Sequence, residues 1–170
     1  MALPIETERL VVRAFEPERD AEPMLAVYGD PEVMRYVPGG ALPDFEAVLS
    51  TLRGYEEQQA RIGFSSWALV ERETTRVIGD TGFGVFAPTG AVELGYTLAR
   101  SYWGRGYATE AAAACLQAGL TRLALPRVIA LVDIENDRSA RVAERIGMAR
   151  IETIEAHGRP HVFFAAYPTR

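Results

Sequence analysis

Val92-Glu-Leu-Gly-Tyr-Thr-Leu-Ala-Arg-Ser-Tyr-Trp-Gly-Arg-Gly-Tyr-Ala-Thr-Glu-Ala111 reads as a strand, a short turn carrying Gly104 and Gly106, and the start of a helix. That order suits an anion. Glycines let backbone N–H groups turn inward with no Cβ in the way, and the first turn of a helix has N–H groups with no internal partner. The helix dipole favours negative charge at the same place. The turn is expected to hold the phosphate or pyrophosphate of a phosphorylated cofactor, and the strand before it the rest of that molecule. A dinucleotide fingerprint wants a third glycine three residues after Gly106. Thr109 stands there, which counts against NAD.

Outward from this stretch the elements follow by periodicity. On its N-terminal side, Leu10 to Phe15 reads as a first strand and Pro17 to Tyr28 as a helix with Met24, Leu25 and Tyr28 at helical spacing. Asp30-Pro31 predicts an N-cap and a short helix to about Tyr36, broken by Pro38-Gly39-Gly40. Phe45, Val48, Leu49, Leu52 and Tyr55 mark one face of a longer helix. Phe64 to Glu71 and Val77 to Phe86 are strand-like around a polar turn.

Beyond the glycine turn, the stripe from Ala108 to Leu123 makes a helix that Pro126 stops, and Val128 to Val132 is a buried strand. Asn136 to Ile146 is a short helix with Asn at its cap and Gly147 past its end. Ile151 to Ala156 and Val162 to Tyr167 form a closing hairpin around His157 to His161. Meandering early strands and a late β-α-β unit point to a mixed α/β or α+β domain, one unit over residues 1–170.

Composition narrows the function classes. Hydrophobic residues make up 48% and charged residues 24%, as in an ordinary soluble domain. No apolar run has the length of a membrane span, and the N-terminus lacks a basic region followed by an apolar one, so neither membrane insertion nor a signal peptide is expected. Cys115 is the only cysteine, which excludes an intrachain disulfide and fits a cytoplasmic protein. All 18 basic residues are Arg, as a GC-rich genome would give. A net charge of −5 with no basic block argues against nucleic acid and is mildly favourable to a cationic amine or a basic protein.

Six motifs in order resemble the GNAT N-acetyltransferases, most closely the branch of ribosomal-protein N-terminal acetyltransferases. They are Glu6-Thr-Glu-Arg-Leu-Val-Val-Arg13, Gly29-Asp-Pro-Glu-Val-Met34, Ile78-Gly-Asp-Thr-Gly82, Leu94-Gly-Tyr96, Tyr102-Trp-Gly-Arg-Gly-Tyr-Ala-Thr-Glu110, and Asn136-Asp-Arg-Ser139 followed by Gly147. The resemblance covers nearly the whole chain. It implies a mostly antiparallel central sheet with helices on both faces and a splayed strand pair, Val92 to Leu98 and Val128 to Val132, that admits acetyl-CoA. It further implies direct acetyl transfer to a primary amine, either a protein N-terminal α-amine or a small molecule, without a metal.

By the same resemblance, backbone groups of Tyr96, Thr97 and Leu98 hold the pantetheine arm. Tyr102, Trp103, Gly104, Arg105, Gly106, Tyr107, Ala108 and Thr109 cradle the pyrophosphate, and Asn136 holds the cofactor near its thioester end. A strand N–H near the thioester carbonyl would stabilise an oxyanion. Two positions depart from the pattern. Ser101 stands where many members carry Gln or Arg three residues before the first glycine, and Ala143 stands where many carry the Tyr that protonates the leaving thiolate. Ser139 is the proton donor the ribosomal branch implies instead.

Each reading has a plainer rival. Asn136 and Ser139 could simply cap a helix. Trp103 could pack into the core instead of over the cofactor. Glu93 is the candidate general base, since alternation puts it on one face with Gly95 and Thr97. Glu152, Glu155 and His157 are rivals, as is a water chain. His157 and His161 make H-x3-H in a turn with no third ligand, so no metal site is expected. Cys115 falls on the apolar stripe and reads as a buried small hydrophobe. The Tyr36 to Gly40 loop lies where the resemblance puts the acceptor pocket, and a plain loop is an equal reading. Two other functions remain open: a non-catalytic acyl-CoA-binding regulator and a dinucleotide-dependent oxidoreductase. A homodimer is compatible with all of this.

Overall fold

A computed structural model describes residues 3–168. In chain order the elements are β1 (Ile5–Glu6), β2 (Leu10–Arg13), α1 (Pro17–Tyr28), α2 (Phe45–Ile62), β3 (Ser66–Glu71), β4 (Val77–Phe86), β5 (Ala91–Leu98), α3 (Tyr107–Thr121), β6 (Val128–Asp133), α4 (Asp137–Arg145), β7 (Ala149–Ala156) and β8 (Arg159–Ala166). A 3₁₀ turn, Arg100–Tyr102, links β5 to the glycine turn. The eight strands form one sheet in the order β1-β2-β3-β4-β5-β6-β8-β7. Every neighbouring pair is antiparallel except β5 and β6.

Alternation along the strands builds two cores. Trp67 and Leu69 on β3 point to the face covered by α3 and α4, where Ala111, Ala112, Cys115 and Ala143 are buried. Ala68 and Val70 point to the opposite face, under Met24, Val27, Val48 and Leu52 of α1 and α2. A third, small cluster of Phe86, Ile129 and Ala156 lies where β4, β6 and β7 pass beyond those helices. Gly119 lets α3 come close to the sheet, because a Cβ there would stand 2.5 Å from the Phe83 ring.

β5 and β6 are paired only at Glu93 and Ile129, so the strands part beyond that point. Ala99 N donates to Ile78 O at 2.9 Å, which fixes the alternation along β5. The backbone of Thr97 therefore turns to β4, where its carbonyl lies 2.0 Å from the position a Cβ of Gly79 would take. The backbones of Tyr96 and Leu98 turn into the gap.

Three expectations are corrected. The short helix from Asp30 to Tyr36 is a run of turns. Asp30 caps one turn through Glu32 N at 2.9 Å, but its other oxygen takes Arg100 Nε at 2.6 Å, and Leu42 N is drawn back to Tyr28 O at 2.8 Å. The first strand stops at Arg13, whose guanidinium forks onto Asp20 at 2.6 and 2.8 Å as the chain turns into α1. The closing hairpin has a two-residue loop, not five. His157 and Gly158 have φ of 53° and 75°, a type I′ turn, so β8 starts at Arg159 and carries Pro160 within it.

Candidate active site

The turn before α3 leaves a run of backbone N–H groups open. Gly104 and Gly106 have φ of 75° and 80°, which L side chains rarely adopt. Among the described residues, the backbone N–H groups of Gly104, Arg105, Gly106, Tyr107, Ala108 and Thr109 make no hydrogen bond. The N–H groups of Tyr102 and Trp103 are already used, donating to Ala99 O at 2.9 Å and Arg100 O at 3.1 Å. The open run is thus the six groups from Gly104 onward, at the N-terminal, positive end of the dipole of a 15-residue helix, and it is the candidate cradle.

The first strands lock this cradle in place. Glu110 in the first turn of α3 accepts from Thr7 Oγ1 at 2.6 Å, Arg9 N at 2.8 Å and Arg9 Nε at 2.7 Å. Burial pushes its carboxyl up, but these donors together hold it below the usual range. Arg9 also donates to Arg105 O at 2.8 Å and lies 4.5 Å over the Tyr107 ring. Tyr107 donates to Glu71 on β3 at 2.7 Å. Arg105 and Arg138 stand over the rings of Tyr102 and Trp103, at 5.4 and 4.6 Å. Three guanidiniums therefore border the open N–H groups.

Across the gap, Asn136 caps α4, accepting from Ser139 N at 3.2 Å. Ser139 Oγ lies 2.9 Å from the Tyr96 hydroxyl, which is also within 2.9 Å of the Ser139 carbonyl. A tyrosine from β5 thus reaches the start of α4, although the helix position that often holds one is the buried Ala143. Burial pushes the Tyr96 hydroxyl up to about 12, so it stays protonated at neutral pH. Trp103 does something between its two readings. It packs against the core, and its indole N–H donates to Leu98 O at 2.8 Å, closing the end of β5 near the glycine turn.

The family model described as acetyltransferase (GNAT) domain matches residues 9–149. The chain belongs to the GNAT acetyltransferase family. It is similar to the uncharacterized N-acetyltransferase p20 of Bacillus licheniformis, with 30% identity over 85% of this chain and 81% of that one. Among solved structures it resembles a GNAT-family acetyltransferase from Bacillus anthracis, with a TM-score of 0.84, 28% identity, and 97% and 98% of the two chains covered. It shares the fold of RimL, a ribosomal L7/L12 α-N-protein acetyltransferase solved in complex with coenzyme A. There the TM-score is 0.83, the identity 17%, and 98% of each chain is covered.

In this N-acetyltransferase, Glu93 stands at the last paired position before the strands part. Burial raises its carboxyl, and the Leu131 N–H and His161 pull it back less strongly. Glu93 also lines a cleft of about 500 Å³ with Val85, Phe86, Pro88, Ile154 and Glu155. Of its rivals as base, Glu155 and His157 border the same cleft, while Glu152 does not. His161 is buried, with Nδ1 2.9 Å from Arg159 O, and its ring centroid is 5.8 Å from that of His157. Tyr36 meets the hairpin through Arg159, whose guanidinium is 6.0 Å over its ring and pairs with Asp133 at 3.0 Å. Cys115 is buried in the core with its thiol pushed up to about 12 by burial.

The sequence reading missed Arg9, Glu110, Arg138 and the hydroxyl of Tyr96. Arg9 and Glu110 are over a hundred positions apart, and only the sheet order brings them together. The signal for Arg138 was present, since it precedes Ser139 in a quoted motif.

Proposed function

We propose that the chain transfers the acetyl group of acetyl-CoA directly to a primary amine, a protein N-terminal α-amine or a small-molecule amine. The observation that carries this reading is the run of six unpaired N–H groups, Gly104 to Thr109, beside the gap between β5 and β6. A bound acyl thioester supplies an activated acetyl group and a thiolate that can leave.

The residues fit such a molecule. The cradle and the guanidiniums of Arg9, Arg105 and Arg138 match its phosphates. Tyr96 offers its backbone N–H and C=O, and Leu98 its N–H, to an extended amide arm, as an added strand would; Leu98 O is already taken by the Trp103 indole. Thr97 stands outside this role, since its backbone is spent on β4 and its hydroxyl lies beside Asp80. Asn136, fixed as a helix cap, sets the start of α4 near the thioester end.

Proton handling falls to two places. Ser139 Oγ–H donates to the departing sulfur, and Tyr96 holds that hydroxyl and can replace its proton at 2.9 Å. Glu93 takes a proton from the incoming ammonium, directly or through water. Its raised affinity for protons makes it a better base than a solvated carboxylate.

Calorimetry with acetyl-CoA, followed by thiol release in the presence of amines, tests the reading. Binding with release and a gain of one acetyl group on the amine supports it. Binding without release from any amine would favour the acyl-CoA-binding regulator.

A further inference from the structure

The geometry points to a small primary monoamine with an apolar body as the acceptor, seated in the cleft between the β4–β5 hairpin and β7. This inference rests on the transferase reading and narrows its substrate.

The cleft holds about 500 Å³, in the range of small-molecule sites. Its walls are apolar: Phe86 from β4, Pro88 from the hairpin, and Ile154 and Ala156 from β7. Its ionisable residues are two carboxylates, Glu93 and Glu155, and His157; no Arg lines it. Glu93 connects this cleft to the gap, because it sits at the pair where β5 and β6 begin to part. An ammonium at Glu93 would therefore lie beside the acetyl donor, with its carbon body against Phe86 and Ile154. Glu155 is exposed at the rim and favours the approach of a cation.

The same surface disfavours the other amines. A free amino acid would bring its own carboxylate against Glu93 and Glu155 with no guanidinium in the lining to receive it. A peptide would bury amide groups against apolar walls, where each unpaired group costs free energy. A polyamine could set its second ammonium against Glu155, but that carboxylate is solvent-exposed, where such a pair contributes little, and the chain between the charges leaves the Phe86 and Ile154 wall poorly filled.

Binding is measured by calorimetry on the full chain in the presence of CoA, so that no transfer occurs. The probes are 2-phenylethylamine, spermidine, and a peptide with a free N-terminal alanine. 2-Phenylethylamine should bind at least tenfold more tightly than the other two. Val85→Arg adds a cation to the wall at a position that is 47% exposed and tolerant of change. It should weaken 2-phenylethylamine at least tenfold and leave the CoA dissociation constant unchanged. Glu155→Gln should weaken it by a smaller factor. Tighter binding of spermidine or the peptide, no binding of 2-phenylethylamine, or indifference to Val85→Arg would overturn the assignment. Thiol release assayed with the same three amines keeps the two readings apart. Binding of 2-phenylethylamine with no release from any amine would sink the transferase and leave the cleft assignment standing. Turnover of spermidine or the peptide alone would do the reverse.

Discussion

Replacing Asp80 by Asn should change how the stability of this protein depends on pH. Asp80 lies on β4 opposite Thr97, is 4% exposed, and has an oxygen, Oδ1, with no hydrogen-bond partner among the described residues. Burial therefore dominates, and raises its carboxyl from 3.8 to about 6, with the nearby hydroxyls of Thr97, Tyr28 and Ser66 pulling it back only in part. The native state thus binds this proton more tightly than the unfolded chain. Its stabilising effect is complete below pH 3.8 and is lost as pH rises through about 6. At about 1.4 kcal/mol per pKa unit, the full swing is about 3 kcal/mol. Between pH 4.5 and 7.5 the same linkage gives about 2 kcal/mol. Urea unfolding of wild type and Asp80→Asn at several pH values isolates the effect, because contributions from other carboxylates cancel in the difference. The variant should gain about 2 kcal/mol relative to wild type on going from pH 4.5 to 7.5. A difference between the two proteins that stays flat over this range would refute the reasoning.

Gly104→Val imposes a left-handed φ of 75° on a branched residue, although the space around it is open. The turn should relax away from the cradle and raise the acetyl-CoA dissociation constant at least tenfold, about 1.4 kcal/mol, by calorimetry on the folded variant. Ser139→Ala should lower kcat about a hundredfold with acetyl-CoA binding little changed, and Tyr96→Phe should lower it less; turnover of Ser139→Ala within threefold of wild type would leave that serine as a helix-start residue. Glu93→Gln should cost most turnover at low pH and recover as pH rises toward the pKa of the amine, whereas a pH-rate profile that scales down uniformly would remove Glu93 as base. Arg9→Ala should weaken acetyl-CoA several-fold and lower Tm, because Glu110 then loses its guanidinium partner while the glycines are untouched.

The candidate site was legible where its shape is set by local backbone chemistry. Gly104 and Gly106 announce their φ values by residue type, and Asn136 announces a cap. Helix α1 and strand β4 were legible to the residue because Pro17 fixes the start of one and Glu73 to Arg76 leads into the other. The 30–36 segment misled because Asp30-Pro31 is a sound start signal, and nothing nearby in sequence reveals that Arg100 will claim the aspartate. The hairpin misled because Pro160 looked like loop. Only the positive φ of His157 makes a two-residue turn possible, and His is not a residue that advertises it. The Tyr96 to Ser139 contact was invisible for a different reason: it crosses the gap between two strands, and periodicity says which face a residue takes but not what lies across a splay.

That splay explains why the N-terminal strands matter to the candidate site. Parted strands leave backbone groups unpaired, which costs stability unless a ligand or side chain meets them. At the closed end Glu93 brings its carboxylate near the Leu131 N–H. At the open end the Trp103 indole takes Leu98 O. The glycine turn between Trp103 and α3 would have little to define it on its own, since Gly104 and Gly106 add no side chains. Arg9 supplies the definition through Glu110, Arg105 O and the Tyr107 ring together. The first motif of the chain, Glu6 to Arg13, is therefore a brace for the glycine turn as much as an edge of the sheet. A turn held from outside can keep its six N–H groups open without collapsing onto them.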